Sequence, residues 1–264
     1  MHIGNLPVVT PFPWPHLLTY VSHRLIAEAE RIEDGRYLRR EGKRTITVSY
    51  DEKAACLQVV ADGRVKTNDV LRRVGALFDV HHDCTSVARD LSRSSVLASR
   101  IAAVPGMRPV GAWSAFELCA RTILGQQVSV AGAGTLMRRL VQRCGVIEPQ
   151  CVIDADLADM GMPGKRVESI RALARAVTEG RVVFDQPWTK LEAQLRQLPG
   201  FGPWTRMYLA IRLGRDSDAF PETDLGLIRA AGADSPAALL KLAEQWRPWR
   251  AYAATYLWAV QAID

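Results

Sequence analysis

The stretch Leu195-Arg196-Gln197-Leu198-Pro199-Gly200-Phe201-Gly202-Pro203-Trp204-Thr205 decides how this chain is read. A helical segment ends before Leu198. Two glycines two apart, Gly200 and Gly202, permit a tight reversal with positive φ and no Cβ in the way. Pro203 suits the first turn of a following helix, where a missing N–H costs nothing. The region around 189–213 is therefore predicted to form two helices joined by a hairpin. Backbone N–H groups at the second helix's N-terminus would face outward, a setting that suits a phosphate. An ordinary turn between two helices is the plainer alternative.

Further along, the chain reads Phe220-Pro221-Glu222-Thr223-Asp224-Leu225-Gly226-Leu227-Ile228. Asp224 is a short acid at the start of an apolar helix, the usual setting of an N-cap. Around these two segments, everything after Pro105-Gly106 has helical periodicity. Ser114-x-x-Glu117 and Thr189-x-x-Glu192 have the form of capping boxes, Ser129 and Ser235 stand where caps belong, and Gly125 interrupts a helix. The last helix is expected to open at Arg247-Pro248 and run to about Ala262. The first hundred residues differ. Pro15 opens an amphipathic helix carrying Leu17, Leu18, Val21, Leu25 and Ile26. Residues 37–40, 45–50 and 56–60 read as strands, and Thr67 is expected to cap a helix with Val70, Leu71, Val74 and Leu77. The predicted fold is α+β: an N-terminal antiparallel sheet with helices over 1–105, then an all-α domain over 106–264.

The 264 residues, 48% of them hydrophobic, suffice for a buried core in about two domains. The formal charge of +6 lies almost wholly in residues 93–150, which hold seven Arg, no Lys and only two acids, Glu117 and Glu148. That excess permits a polyanionic partner without demanding one. No apolar run approaches the ~20 residues needed to span a bilayer, and no basic-then-apolar leader opens the chain, so no membrane is expected and a cytoplasmic location is. The five cysteines form no Cys-x-x-Cys pair, which argues against a disulfide framework, zinc and iron–sulfur sites. Buried thiols are expected instead.

The hairpin and Asp224 do not stand alone. With Thr122-Ile123-Leu124-Gly125-Gln126-Gln127-Val128-Ser129-Val130, Gly161-Met162-Pro163-Gly164 and Trp246-Arg247-Pro248-Trp249-Arg250-Ala251-Tyr252-Ala253, the chain resembles the helix-hairpin-helix DNA glycosylase superfamily. Within it, the likeness is to the AlkA-type branch, DNA-3-methyladenine glycosylase II, over nearly the whole length. The resemblance implies that Asp224 is the catalytic carboxylate. A fixed anion stabilises the positive charge that develops on the sugar as an N-glycosidic bond breaks, and it can position or deprotonate the attacking water. The resemblance places Trp204, Tyr208, Trp258 and Tyr20 in the base pocket, where aromatic faces attract a cationic alkylated purine once it has left the stack. It makes Gln127 the wedge that enters the vacated duplex position. Gly200, Phe201, Gly202, Trp204 and Thr205 become the DNA backbone contacts. Core packing, a plain N-cap and a surface amide are the structural alternatives for the aromatics, Asp224 and Gln127.

Trp204 stands where relatives that also cleave the backbone carry a nucleophilic lysine, so the resemblance implies a hydrolase without lyase activity. Relatives with an iron–sulfur cluster carry four C-terminal cysteines, and this chain has none after Cys151, so no cluster is implied. A structural monovalent cation is implied at the backbone carbonyls of Arg196, Leu198 and Phe201, with no other cofactor. Ala259 replaces a second pocket aromatic and leaves the pocket's width open. The expected function is excision of alkylated purines from double-stranded DNA by a bacterial, nucleoid-associated monomer. The exposed charge of Arg138, Arg139 and Arg143 is expected to attract the duplex. The rivals are a glycosylase for deaminated or oxidised bases and a non-catalytic DNA-kinking protein.

Overall fold

The structure, a computed structural model, describes residues 1–26 and 28–260. Its N-terminal region is a five-stranded antiparallel sheet of β1 (His2–Pro7), β2 (Glu30–Glu33), β3 (Arg36–Glu41), β4 (Arg44–Asp51) and β5 (Cys56–Ala61), ordered β1-β5-β4-β3-β2. Helix α1 (Trp14–Ser22) links β1 to β2, and α2 (Thr67–Phe78), α3 (Cys84–Leu91) and α4 (Ala98–Ala103) follow the sheet. Period-two alternation puts Ile46 and Val48 of β4 on the buried face, opposite Ala61 and Val59 of β5. The edge strands β1 and β2 escape that logic. Gly4 and Pro7 break up β1 and charge fills Glu30-Arg31-Ile32-Glu33, so pairing to β5 and β3 makes them strands.

The rest is helical: α5 (Ala115–Leu124), α6 (Val130–Cys144), α7 (Pro149–Asp154), α8 (Gly164–Thr178), α9 (Trp188–Arg196), α10 (Pro203–Arg212), α11 (Leu225–Ala231), α12 (Pro236–Ala243) and α13 (Arg250–Val260). Ser114, Ser129 and Ser235 cap as expected, their hydroxyls accepting from the amides of Glu117, Gly132 and Ala238 at 3.4, 3.1 and 3.1 Å. Gly125 closes α5. Elsewhere local signals yield to their surroundings. Helix α1 stops at Ser22, short of Leu25 and Ile26, and α2 is preceded by Lys66 with no side-chain cap, Thr67 being its first helical residue. Pro187, extended and with a fixed φ, starts α9 at Trp188. Thr189 therefore lies inside the helix and Glu192 pairs with arginines instead of a cap. Helix α13 begins at Arg250 rather than at Arg247-Pro248; its predicted end at Ala262 lies outside the described residues.

Two apolar clusters form the core. One joins the sheet and α1–α4 to α11–α13 and the C-terminal end of α10. The other gathers α5–α9, with Leu209 of α10. The C-terminal helices thus return to join the N-terminal core, with α13 against α4, and α10 contributes to both clusters. All five cysteines are free, with Cys56, Cys84 and Cys119 buried. Among the described residues, no helix is long and apolar enough to cross a membrane.

Candidate active site

Helices α9 and α10 bracket the hairpin. Gly200 has φ +86°, and a Cβ there would come within 2.9 Å of Ser169 Oγ on α8, so both backbone and packing require glycine. Gly202 differs from expectation. Its φ is −62°, it is the N-cap residue of α10, and a Cβ would meet nothing within 4 Å. One glycine makes the reversal; the other keeps the approach to the α10 N-terminus bare. Phe201 and Thr205 are buried, and the Phe201 amide and carbonyl are bonded within the chain to Leu198 and Arg206, so Gly200, Gly202 and Trp204 are the more open of the predicted backbone contacts.

Asp224 is the N-cap of α11, its Oδ1 accepting from the Leu227 amide at 2.9 Å. It is more than a cap. Trp204 Nε1 donates to Oδ2 at 2.9 Å and Trp258 Nε1 donates to Oδ1 at 3.2 Å. Three donors from three helices fix the half-buried carboxylate. Oδ1 accepts from two of these donors and Oδ2 from one.

The predicted aromatics converge here. Trp204 and Tyr208, four apart on α10, stack at 5.2 Å and 10°, and Tyr208 meets Trp258 edge-on at 5.6 Å and 66°. The Trp204–Tyr208 stack is closed at that spacing, so a planar base has to lie against the cluster rather than between those two rings. Tyr20 is buried, and its hydroxyl has no hydrogen-bond partner among the described residues. Its ring already bears a cation: the Arg24 guanidinium sits 3.7 Å over the centroid. Arg212 stands 5.7 Å from the same ring and donates to the Tyr208 hydroxyl at 2.6 Å. Burial pushes the Tyr208 hydroxyl up, but Arg212, Arg24 and Arg121 outweigh it and bring its pKa down to about 8. Sequence reasoning missed these arginines. The available signal was Tyr-x-x-x-Arg, present at Tyr20–Arg24 and Tyr208–Arg212, a spacing that brings side chains together on a helix.

Gln127 is exposed with φ +57°, in the turn between α5 and α6. Its neighbour ties that turn to the hairpin: Gln126 Nε2 donates to the Gly200 carbonyl at 2.7 Å and to Thr205 Oγ1 at 3.1 Å. Arg166 of α8 donates to the Gln126 carbonyl. The turn bearing Gln127 and the hairpin are thereby held in one register.

The basic segment is not the open patch that its charge count suggests. Arg108 is fully buried and donates to the carbonyls of Val9, Pro11, Asp79 and Gly106. Arg100 bonds the Val96 and Ala230 carbonyls, and Arg121 that of His23. Arg139 and Arg143, though exposed, bond the carbonyls of Met160 and Asp156. Arg138 lies exposed on α6. Counting charge along a chain cannot see which guanidinium groups are spent on carbonyls.

A hairpin presenting a helix N-terminus, with a carboxylate held among aromatic rings at the start of the next helix, defines the helix-hairpin-helix class of DNA glycosylases. Residues 4–114 match the AlkA N-terminal domain, and residues 120–238 match the HhH-GPD superfamily of base excision DNA repair proteins. DNA-3-methyladenine glycosylase 2 of Escherichia coli is 31% identical over 270 residues, spanning 94% of each chain. The 3-methyladenine DNA-glycosylase of Archaeoglobus fulgidus superposes with a TM-score of 0.80 at 19% identity, covering 96% of both chains. A Schizosaccharomyces pombe 3-methyladenine DNA glycosylase in complex with abasic DNA matches 66% of this chain and 95% of its own, with a TM-score of 0.59 at 24% identity. The chain belongs to the AlkA-type DNA-3-methyladenine glycosylase family of base excision repair.

Proposed function

We propose that this chain excises alkylated purines of the 3-methyladenine type from double-stranded DNA, flipping the damaged nucleotide and hydrolysing its N-glycosidic bond. The observation that carries this reading is the Asp224 carboxylate, held by the indole N–H groups of Trp204 and Trp258 and by the Leu227 amide. Such an anion, fixed before the reaction, faces the sugar as positive charge develops and needs no reorganisation. Oδ2 takes a hydrogen of the attacking water. Tyr208 and Trp258 offer ring faces to the flipped base, with Tyr20 behind them. Gln127 fills the gap in the stack, and the main chain of Gly200–Thr205 holds the DNA backbone. Trp204, in place of an amine, leaves water as the nucleophile, so no strand cleavage follows. The same reading includes action as a monomer on the bacterial nucleoid in the cytoplasm.

Three guanidinium groups around Tyr20 and Tyr208 favour a second reading. Positive charge beside the pocket opposes a cationic base, while guanidinium donors suit a neutral base with carbonyl acceptors, such as a deaminated or oxidised purine. Single-turnover base release from a panel of lesion duplexes separates the two. Faster release of 3-methyladenine supports the first reading; faster release of neutral lesions supports the second. Asp224→Asn should slow release by at least ~10²-fold while retaining duplex affinity. Unchanged release in that variant would remove Asp224 from the mechanism under either reading.

A further inference from the structure

Of the hairpin carbonyls where the family resemblance implies a monovalent cation, that of Phe201 is already served by a cation of the chain itself. The Phe201 carbonyl accepts from Arg206 Nη1 at 2.5 Å. The same guanidinium donates through Nε to Glu192 Oε1 at 2.6 Å, and both side chains are largely shielded, 13% and 16% exposed. Glu192 is on α9 and Arg206 on α10, so the ion pair crosses between the two helices that flank the hairpin. Arg196 also pairs with Glu192, at 2.8 Å. A metal ion on the Phe201 oxygen would share that oxygen with a fixed guanidinium, and two like charges so close repel. The Leu198 carbonyl accepts from the Phe201 amide at 3.5 Å, which closes the turn from within. With Arg206 in place, these residues do not fit a bound alkali cation.

We infer that Arg206, anchored by Glu192, is the built-in cation of this hairpin and holds its carbonyls in the DNA-binding geometry that a metal ion would otherwise impose. The inference rests on the hairpin being the DNA contact proposed above. Hydrogen-bond reach and position support it: one guanidinium joins the Phe201 carbonyl of the hairpin to the Glu192 carboxylate of α9. A charge-assisted bond of this kind is stronger than a neutral one and needs no free ion in solution.

The test measures affinity for an abasic-analogue duplex at fixed ionic strength, with potassium, sodium or tetramethylammonium as the sole monovalent cation. Tetramethylammonium screens charge but is too bulky for a carbonyl cradle. The wild-type protein should bind equally, within about twofold, in all three, because the phosphate term depends on ionic strength rather than ion identity. Arg206→Ala should bind about tenfold more weakly in tetramethylammonium, the loss of one charge-assisted hydrogen bond, and recover in part in potassium or sodium. Arg206→Lys, which keeps a cation in reach, should stay indifferent to the salt. Loss of wild-type affinity in tetramethylammonium would overturn the inference, and so would an Arg206→Ala variant that binds like wild type in every salt. Melting temperatures in the same salts keep the test independent of DNA. Wild type should show no dependence on the ion, and Arg206→Ala should be stabilised by potassium or sodium over tetramethylammonium. If wild type binds duplex in none of the salts, the DNA reading fails while the melting series still decides whether Arg206 replaces a metal.

Discussion

Tyr208 shows how one side chain's chemistry is set by neighbours that its own helix does not supply. Arg212 lies four residues on and donates to its hydroxyl, but Arg24 and Arg121 arrive from the α1 and α5 regions. Burial raises the phenol; the three guanidinium groups lower it further, to about 8, against ~10 for a free tyrosine. Because the folded value is the lower one, the phenolate form favours the fold. That contribution is complete above pH ~10 and is lost as pH falls through about 8, so stability from this group rises with pH across that window. Ultraviolet titration of the native protein should detect one tyrosine ionising near pH 8, absent in Tyr208→Phe. A native titration with no ionisation below the ordinary tyrosine range would refute the arrangement. Tyr20 shifts the other way, because burial outweighs Arg24 and Arg212.

At the scale of elements, the hairpin and the Asp224 helix were legible because their signals are local. A glycine needed for reversal, a proline at a helix start and an acid at a cap each act within a few residues. The Thr189 box failed for a local reason too: Pro187 sets the helix start two residues earlier, and Glu192 finds Arg206 across the hairpin. Two of the α6 arginines, Arg143 and Arg139, bond carbonyls 13 and 21 residues away, partners that a charge count along the chain does not see. Arg138 is the clean probe of an electrostatic role for α6. Arg138→Ala should weaken duplex binding and lower the slope of log affinity against log salt by about 1, with single-turnover release from bound DNA unchanged. An unaltered slope would take Arg138 off the DNA path. Arg139→Ala should lower the melting temperature as well, since its bond to Met160 ties α6 to the loop before α8.

At the scale of the whole molecule, a buried ion pair joins sheet to helices. Arg39 of β3 shares the buried face with Ile46, its cross-strand partner, and donates both terminal nitrogens to Glu117 of α5 at 3.0 and 2.6 Å. Glu30 lies 3.6 Å away on the other side, itself bonded by the Tyr37 hydroxyl. Removing one partner strands a charge, so Arg39→Met should cost about 3–5 kcal/mol in denaturant unfolding. The double variant Arg39→Met/Glu117→Leu should recover part of that loss, because Glu117 is no longer stranded and Glu30 keeps the Tyr37 hydroxyl and the Ile26 amide as donors. A double variant at least as unstable as the sum of its singles would mean that the pair stabilises the joint by more than mutual compensation.

The sequence by itself determined the α+β order, the hairpin, the cap at Asp224 and the aromatic spacing on α10, because each is written in contacts between residues close along the chain. Only the tertiary structure decided that α11–α13 return to the N-terminal core, that Trp204 and Trp258 grip the same carboxylate, and that most of the basic segment is spent on carbonyls. Those outcomes depend on which surfaces meet after the chain collapses. Burial and long-range partners then assign each charge and ring its role, and neither is encoded in spacing along the chain.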